Sequence, residues 1–177
     1  MDIEPISGRL FREALGHFAS GVTVVAARTA TGLVGFTATG FTSLSLTPPL
    51  VLVCVGRHAS VHEGIVGADH FGVSVLSDRQ GWIAEQFACS GVDRFRNVVL
   101  RPEQVPSIDG ALVRLECRRY ALHEAGDHTI VIGEVLAGSV AAGRPLVHFA
   151  RHFGSFVSEA ATRSASGGAI ARQGGSV

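Results

Sequence analysis

The stretch GFTATGFTSLSLTPP, residues 35–49, decides the fold. Its odd positions from 37 to 47 are Thr, Thr, Phe, Ser, Ser and Thr, whereas the even positions from 36 to 46 are mostly apolar or small. Alternate side chains of an extended chain point to opposite faces, so the pattern predicts one strand with a hydroxyl face and an apolar face, ended by the double proline. A hydroxyl face suits the carbonyls and nitrogens of a flat, uncharged heterocycle. From these residues alone, a solvent-facing strand is the simpler explanation.

Further strands and two helices are predicted around this stretch. Short β-branched or apolar runs bounded by turn residues are typical of strands, and they occur at residues 22–27, 50–55, 71–76, 111–122, 129–136 and 146–149. A cap at Ser7 and apolar residues at helical spacing predict a first helix, and the capping-box spacing of Ser77 and Gln80 predicts a second over about 78–88. Because the strands follow one another without βαβ alternation, we expect a mainly β, antiparallel barrel.

Composition excludes several classes of function. A chain of 177 residues with 46% apolar content fits one globular domain, and its 15 basic residues balance 15 acidic ones, so nucleic acid is not an expected partner. Every basic residue is arginine, which excludes a Schiff-base lysine and a P-loop lysine. No apolar run approaches the roughly 20 residues of a membrane span, and the start of the chain does not resemble a signal peptide, so we expect a cytoplasmic protein.

Other candidate sites have less support. His58 and His62 are four residues apart and would form a metal pair on a helix, but no third ligand has a recognisable spacing, so a solvated helix face is favoured. Ser43 lacks the Gly-x-Ser-x-Gly context of a hydrolase nucleophile, and no Gly-x-Gly-x-x-Gly follows a strand to mark a Rossmann site. The three cysteines contain no Cys-x-x-Cys pair and are expected to be buried thiols.

The order of the features resembles the flavin reductase-like family. The resemblance rests on FREALGHFASGVTVV (11–25), GFTATGFTSLSLTPPLVLVCV (35–55), the strand at 71–76, Arg94-Phe95, GDHT (126–129), and PL (145–146) followed by RHF (151–153). It implies a six-stranded antiparallel Greek-key split barrel of the FMN-binding type for a domain at residues 1–157. The small and polar residues that follow predict a flexible tail at 158–177. It also implies a homodimer and an NAD(P)H:flavin oxidoreductase that supplies reduced FMN or FAD to a partner flavin-dependent monooxygenase.

The same resemblance implies the site residues. Those expected to bind flavin are Thr37, Ala38, Thr39, Ser43, Ser60, Arg94 and Phe95. Those expected near the nicotinamide of NADH or NADPH are Gly126, Asp127, His128 and Phe153, with His128 as the catalytic candidate and no metal. The family often has Asn-Ser or Ser-Ser where this chain has Thr39-Gly40, which leaves the choice between FMN and FAD open.

Two alternatives to the reductase remain at this point. A split-barrel protein could hold flavin or haem without turnover, although such a protein needs no nicotinamide face. An oxidase acting on a phosphorylated pyridoxine-like substrate would need a richer basic phosphate site than the motifs provide.

Overall fold

The structure, a computed structural model, describes residues 4–158. Three helices and twelve strands lie in this part of the chain. In order they are α1 (Gly8–Gly16), β1 (Ser20–Gly21), β2 (Thr23–Thr29), β3 (Gly32–Ala38), β4 (Phe41–Leu46), β5 (Pro49–Gly56), α2 (His62–Gly67), β6 (His70–Val75), α3 (Gly81–Ala88), β7 (Leu100–Arg101), β8 (Ser107–Ile108), β9 (Val113–Ala125), β10 (His128–Val140), β11 (Leu146–Phe149) and β12 (His152–Ser155). Apart from Ser158, the predicted tail lies outside the described residues.

The main sheet is antiparallel and has the strand order β3-β2-β6-β9-β10-β5-β4. Although β3 and β5 are far apart in this order, they contact each other, so the sheet curls toward a barrel. A second sheet has the order β1-β11-β12, and β7 pairs with β8. The predicted mainly β class is confirmed, with seven strands in the main sheet where the resemblance implied six.

Two apolar clusters hold the sheet, and β2 contributes to both. Val25 packs with Val53, Phe71 and other side chains inside the curl. Val24 points the other way and packs with Phe87 of α3 and with a group around Leu146. Since both faces of β2 are covered, five consecutive residues of this strand are buried. β2 is therefore held firmly in the core and supports the neighbouring strand β3.

The stretch at residues 35–49 is not one strand. β3 ends at Ala38 and β4 begins at Phe41, and these two strands form opposite edges of the main sheet. The chain bends at Thr39, and at the next residue, Gly40, an added Cβ would lie 3.2 Å from the Cβ of Cys54. A bulge between Ser43 and Ser45 then shifts the register of β4 against β5. The prediction of a single hydroxyl face was therefore wrong, because a close contact with β5 and the bulge break the period of two.

The helices follow their predicted caps only in part. The amide of Leu10 donates to Ser7 Oγ at 3.3 Å, as predicted, yet no residue of α1 is buried. The amide of Ser77 donates to Gln80 Oε1 at 3.0 Å, which is half of a capping box, but α3 begins only at Gly81. Among the described residues, no helix is long and apolar enough to cross a membrane.

The cysteines differ in burial, contrary to the prediction that all three are buried. Cys117 is buried, and burial raises the pKa of its thiol to about 12. Cys54 is half-buried and Cys89, just beyond α3, is exposed. The chain leaves the last helical turn at Cys89, so its side chain is not covered by the barrel.

Candidate active site

A cavity of about 280 Å³ lies between β3, the loop after β5 and the loop after α3. We call it the Arg94 cavity; its wall includes Gly35 together with Ser60, Arg94 and Phe95, three of the residues predicted to bind flavin. The structure therefore brings together three segments that are far apart in the sequence: Gly35, Ser60 and the pair Arg94-Phe95. Gly35 lies on β3, Ser60 lies in the loop after β5, and Arg94-Phe95 lies in the loop after α3, so no single motif contains all of them.

Gly35 allows the aromatic wall of this cavity to approach β3. A Cβ added at Gly35 would lie 2.9 Å from Phe87 Cε1 and 3.1 Å from Phe95 Cζ. The two rings meet edge to face with centroids 4.9 Å apart, so Phe95 is held against the buried Phe87. A residue with a side chain at position 35 would push this pair away from the strand.

Arg94 is fixed by its neighbours while one end of its guanidinium stays available. Its Nε donates to the carbonyl of Cys89 at 2.8 Å, and its Nη1 lies 3.5 Å from Ser60 Oγ. Gln86 Nε2 donates to the carbonyl of Arg94 at 2.7 Å, which anchors the loop to α3. Within residues 4–158 the Nη2 atom makes no hydrogen bond or ion pair, so it can bind an anionic oxygen at the cavity mouth.

The remaining predicted flavin residues lie along the end of β3 and on β4. Thr37 Oγ1 donates to the carbonyl of Ala84 at 2.6 Å, so this hydroxyl proton is already committed to α3. The side chain of Ala38 is buried in the barrel core, which leaves only its backbone for a ligand. Thr39 is exposed at the bend, and Ser43 is exposed on β4. None of these four residues lines the Arg94 cavity, and Ser43 lies on the opposite edge strand of the main sheet.

The 126–128 turn joins β9 to β10 and lies against the end of β5. Gly126 has φ +62°, the left-handed conformation that favours glycine in such a turn. The amide of Arg57 donates to the carbonyl of Asp127 at 2.9 Å. A Cβ added at Gly56 would lie 3.8 Å from His128 Nε2, so the imidazole lies beside the end of this strand.

His128 and Asp127 are joined by a hydrogen bond at the tip of this turn. His128 Nδ1 donates to Asp127 Oδ1 at 2.7 Å, and both side chains are substantially exposed. That hydrogen bond, and next the charge of the histidine, lower the pKa of Asp127 below its ordinary value. The bond fixes the orientation of the imidazole and leaves Nε2 as the nitrogen able to contact a ligand.

Four side chains beside the turn form a network that the sequence did not predict. Arg57 Nη1 lies 3.0 Å from Glu124 Oε2. Thr129 Oγ1 donates to Glu124 Oε1 at 3.4 Å and lies 2.8 Å from His62 Nε2. His62 therefore has a hydrogen-bonding role, and within the described chain no group of His, Cys, Asp and Glu could hold a metal ion. The Thr of the Gly-Asp-His-Thr motif was the available sequence signal.

Phe153 lies on a different sheet from the 126–128 turn. It is on β12, where its ring meets His148 edge to face with centroids 5.6 Å apart. The side chain is partly exposed. Within one chain, the two parts of the predicted nicotinamide site thus stand on separate sheets.

Comparisons with known proteins agree with this architecture. The Flavin reductase like domain family matches residues 15–156. The chain is 44% identical over 152 residues to the NADH-dependent FMN reductase SmoA of Agrobacterium fabrum, covering 85% of this chain and 87% of the relative. It is also 44% identical over 146 residues to the reductase component of 4-hydroxyphenylacetate 3-monooxygenase of Thermus thermophilus, covering 81% and 93%.

A solved structure shares the fold over nearly its whole length. The NADH:FAD oxidoreductase SgcE6 of Streptomyces globisporus, in complex with NAD and FAD fragments, has a TM-score of 0.82 and 38% identity to this chain. The match covers 89% of this chain and 99% of that structure. A family match over most of the chain and identities of this size leave one conclusion: the chain belongs to the flavin reductase-like family.

Proposed function

We propose that the chain is an NAD(P)H:flavin oxidoreductase that passes hydride from a nicotinamide to FMN or FAD and supplies the reduced flavin to a separate monooxygenase. One observation carries the proposal. The short loop after β5 touches both halves of the site, because Arg57 bonds the 126–128 turn and Ser60 lines the Arg94 cavity three residues later. A ligand in the cavity and a ligand at the turn would therefore be neighbours.

The residues present fit a flavin nucleotide. Gly35 leaves the space that a Cβ would fill beside Phe95, and the free end of Arg94 suits a phosphate oxygen. The uncharged end of β3, with Thr37, Thr39 and the backbone of Ala38, suits a ring system that is neutral when oxidised. Ser43 on β4 lies beyond the bend and is placed at the flavin by family resemblance alone.

The reaction asks the protein for binding and orientation. When bound, the nicotinamide and the flavin themselves supply the hydride donor and the hydride acceptor. Arg94 and Ser60 hold the phosphate end, and Phe95 limits access of water to the cavity. His128 directs Nε2 toward the nicotinamide carboxamide or ribose, since Asp127 holds Nδ1. No acid–base pair is needed beyond these contacts.

A homodimer is part of the proposal, supported by exposed apolar surface. Large apolar side chains at least half exposed occur on α1, on β4 and near the end of the domain: Ile6, Leu10, Phe11, Leu15, Phe18, Leu46, Phe156 and Val157. Leu46 is 92% exposed, which is unusual for a leucine in a strand that pairs with a buried neighbour. Exposed large apolar side chains are typical of protein–protein interfaces, so in the proposed dimer a second copy covers them and brings its own β12, with Phe153, to the 126–128 turn.

The partner and the compartment follow from the reaction. Relatives include reductase components of two-component monooxygenases, so the acceptor of the reduced flavin is a flavin-dependent monooxygenase. Residues 1–157 act as one catalytic domain with the tail outside it. The enzyme works in the cytoplasm, where its nicotinamide substrate is available.

The test is a steady-state assay of the full chain. NADH or NADPH is mixed with excess FMN or FAD, and oxidation is followed at the nicotinamide absorbance band. We expect flavin-dependent oxidation, with His128→Ala raising the KM for NADH more than the KM for flavin. Arg94→Gln should raise the flavin KM about tenfold, as expected for a lost charge-assisted hydrogen bond. Its matched control is Arg96→Gln, on the same loop, which should leave both constants unchanged.

Two results would overturn the proposal. The absence of flavin-dependent oxidation with either nicotinamide would exclude a reductase. Flavin that copurifies tightly and is never reduced would instead support a binding protein without turnover.

A further inference from the structure

A second hollow, of about 380 Å³, lies between α1 and the turn that joins β11 to β12. Arg9 and Arg12 line it from one side, one helical turn apart on α1, and Arg151 lines it from the other side at the tip of the turn. His17 and Glu13 complete the polar wall. None of these residues lines the Arg94 cavity or belongs to the 126–128 turn, and we call this place the arginine hollow.

The arginine hollow concentrates positive charge in a chain that is neutral overall. Six other arginines form ion pairs with carboxylates: Arg57, Arg101, Arg114, Arg118, Arg119 and Arg144. By contrast, no carboxylate within residues 4–158 pairs with Arg9, Arg12 or Arg151. With Glu13 as the single acidic wall residue, the local charge is close to that of two unbalanced guanidinium groups.

Arg151 is held in a backbone conformation that its sequence does not favour. β11 and β12 are joined by the two residues Ala150 and Arg151, which have φ +47° and +67°. Two-residue turns of this conformation are normally Asn-Gly or Gly-Gly, because side chains disfavour positive φ. Backbone strain retained at one position indicates that the side chain there is needed for something other than the turn.

The strained turn is fixed to α1 by direct contacts. The amide of Ala150 donates to the carbonyl of Gly16 at 2.8 Å. Next to it, the rings of His17 and Phe149 meet edge to face with centroids 5.8 Å apart. These contacts hold the tip of the turn beside the helix, so Arg9, Arg12 and Arg151 line one hollow.

We propose that the arginine hollow is a binding site for phosphate groups, in the form of a phosphomonoester or a pyrophosphate. Guanidinium groups bind phosphate oxygens through paired hydrogen bonds, and the hollow is large enough for a nucleotide phosphate. The excess positive charge matches a phosphate dianion. The carboxylate of Glu13 would repel a ligand whose own carboxylates lay along α1. The proposal rests on the contacts of α1 and the β11–β12 turn and does not depend on the proposed reductase activity.

Calorimetric titration of the full chain with inorganic pyrophosphate, at fixed ionic strength, tests the proposal. We expect Arg12→Gln and Arg151→Gly each to weaken pyrophosphate binding about tenfold, the effect of losing one charge-assisted hydrogen bond. Arg28→Gln, at an exposed and unpaired arginine on β2, removes the same charge elsewhere and should leave the affinity unchanged.

Arg151→Gly also separates lost binding from lost folding. Glycine accepts φ +67° without strain, so this variant should melt at a higher temperature than the parent while binding pyrophosphate more weakly. Titrations with ADP and with inorganic phosphate identify the source of the phosphate group. ADP binding more tightly than pyrophosphate indicates a nucleotide. Equal affinities for the three ligands indicate a free phosphate. Unchanged pyrophosphate affinity in both variants, or an equal loss in Arg28→Gln, would overturn the proposal.

Discussion

Gly35 is the position at which packing and ligand binding depend on the same missing side chain. In Gly35→Ala, the new Cβ would lie 2.9 Å from Phe87 Cε1, 3.1 Å from Phe95 Cζ and 3.1 Å from the carbonyl oxygen of Val25. Phe87 is fully buried, and the oxygen belongs to the backbone of β2, so neither can move far. Phe95 is half-buried on a loop, so this ring should move away from β3 and distort the Arg94 cavity.

The expected cost is that of adding one methyl group to a well-packed site, about 1–3 kcal/mol. In a chain of this size, each kcal/mol lowers Tm by roughly 2–4 °C. Thermal unfolding at fixed protein concentration measures the loss of stability, and the KM for flavin reports whether the Arg94 cavity still binds flavin. We expect a lower Tm together with a raised flavin KM and a nearly unchanged KM for NADH.

Two comparisons make this prediction specific. Gly67→Ala, at the end of α2, is the matched control, because a Cβ there meets nothing within 4 Å and should not lower Tm. Phe95→Leu removes the Phe95 ring atom that would lie 3.1 Å from the new Cβ, so Gly35→Ala should cost less stability in that background than in the parent. A Gly35→Ala protein with the parent's Tm and flavin KM would refute the steric reasoning. An equal loss of stability in the parent and in the Phe95→Leu background would show that the ring of Phe95 does not contribute to the clash.

Two further predictions concern the buried hydroxyl of Thr129 and the different burial of Cys89 and Cys117. Thr129→Val preserves shape but removes the hydroxyl of the network below the 126–128 turn, so we expect a loss of about 1–3 kcal/mol in denaturant unfolding and a raised KM for NADH, with the flavin KM as internal control. A raised KM for flavin with an unchanged KM for NADH would contradict the placement of this network at the nicotinamide side of the site. Cys89 should react with iodoacetamide at pH 8 much faster than Cys117, whose pKa is raised to about 12 by burial; mass spectrometry of the native protein decides this, and comparable labelling of both would contradict the assigned burial.

The sequence predicts those elements whose pattern is local. The β-branched or continuously apolar runs at 22–27, 50–55 and 71–76 are sufficient to predict β2, β5 and β6, because the composition of each run alone favours a buried strand. The long hairpin of β9 and β10 is also recoverable, since Gly126-Asp127 is a strong turn signal between two apolar runs. Ser7 likewise marks the start of α1.

What the sequence does not predict depends on contacts between distant segments. The break at Gly40 requires Cys54 from β5, and the Arg57–Glu124 pair requires the register of three strands. The turn at Ala150 and Arg151 carries no turn signal in its sequence, so β12 is visible only in the structure. In each case the deciding partner is far away in the chain, and local propensity is overridden by packing.

α1 connects the proposed dimer with the proposed phosphate site. A helix of nine residues is marginal on its own, and none of its residues is buried within one chain. Its apolar residues, such as Leu10 and Leu15, would face a second copy, whereas Arg9 and Arg12 line the arginine hollow. Either ligand would order the same helix, and ordering by one reduces the entropy cost of binding the other. We therefore expect pyrophosphate to lower the concentration at which the dimer dissociates, measured by sedimentation, and expect Arg12→Gln to abolish that shift. A dissociation concentration that is unchanged by saturating pyrophosphate would show that the two surfaces of α1 act independently.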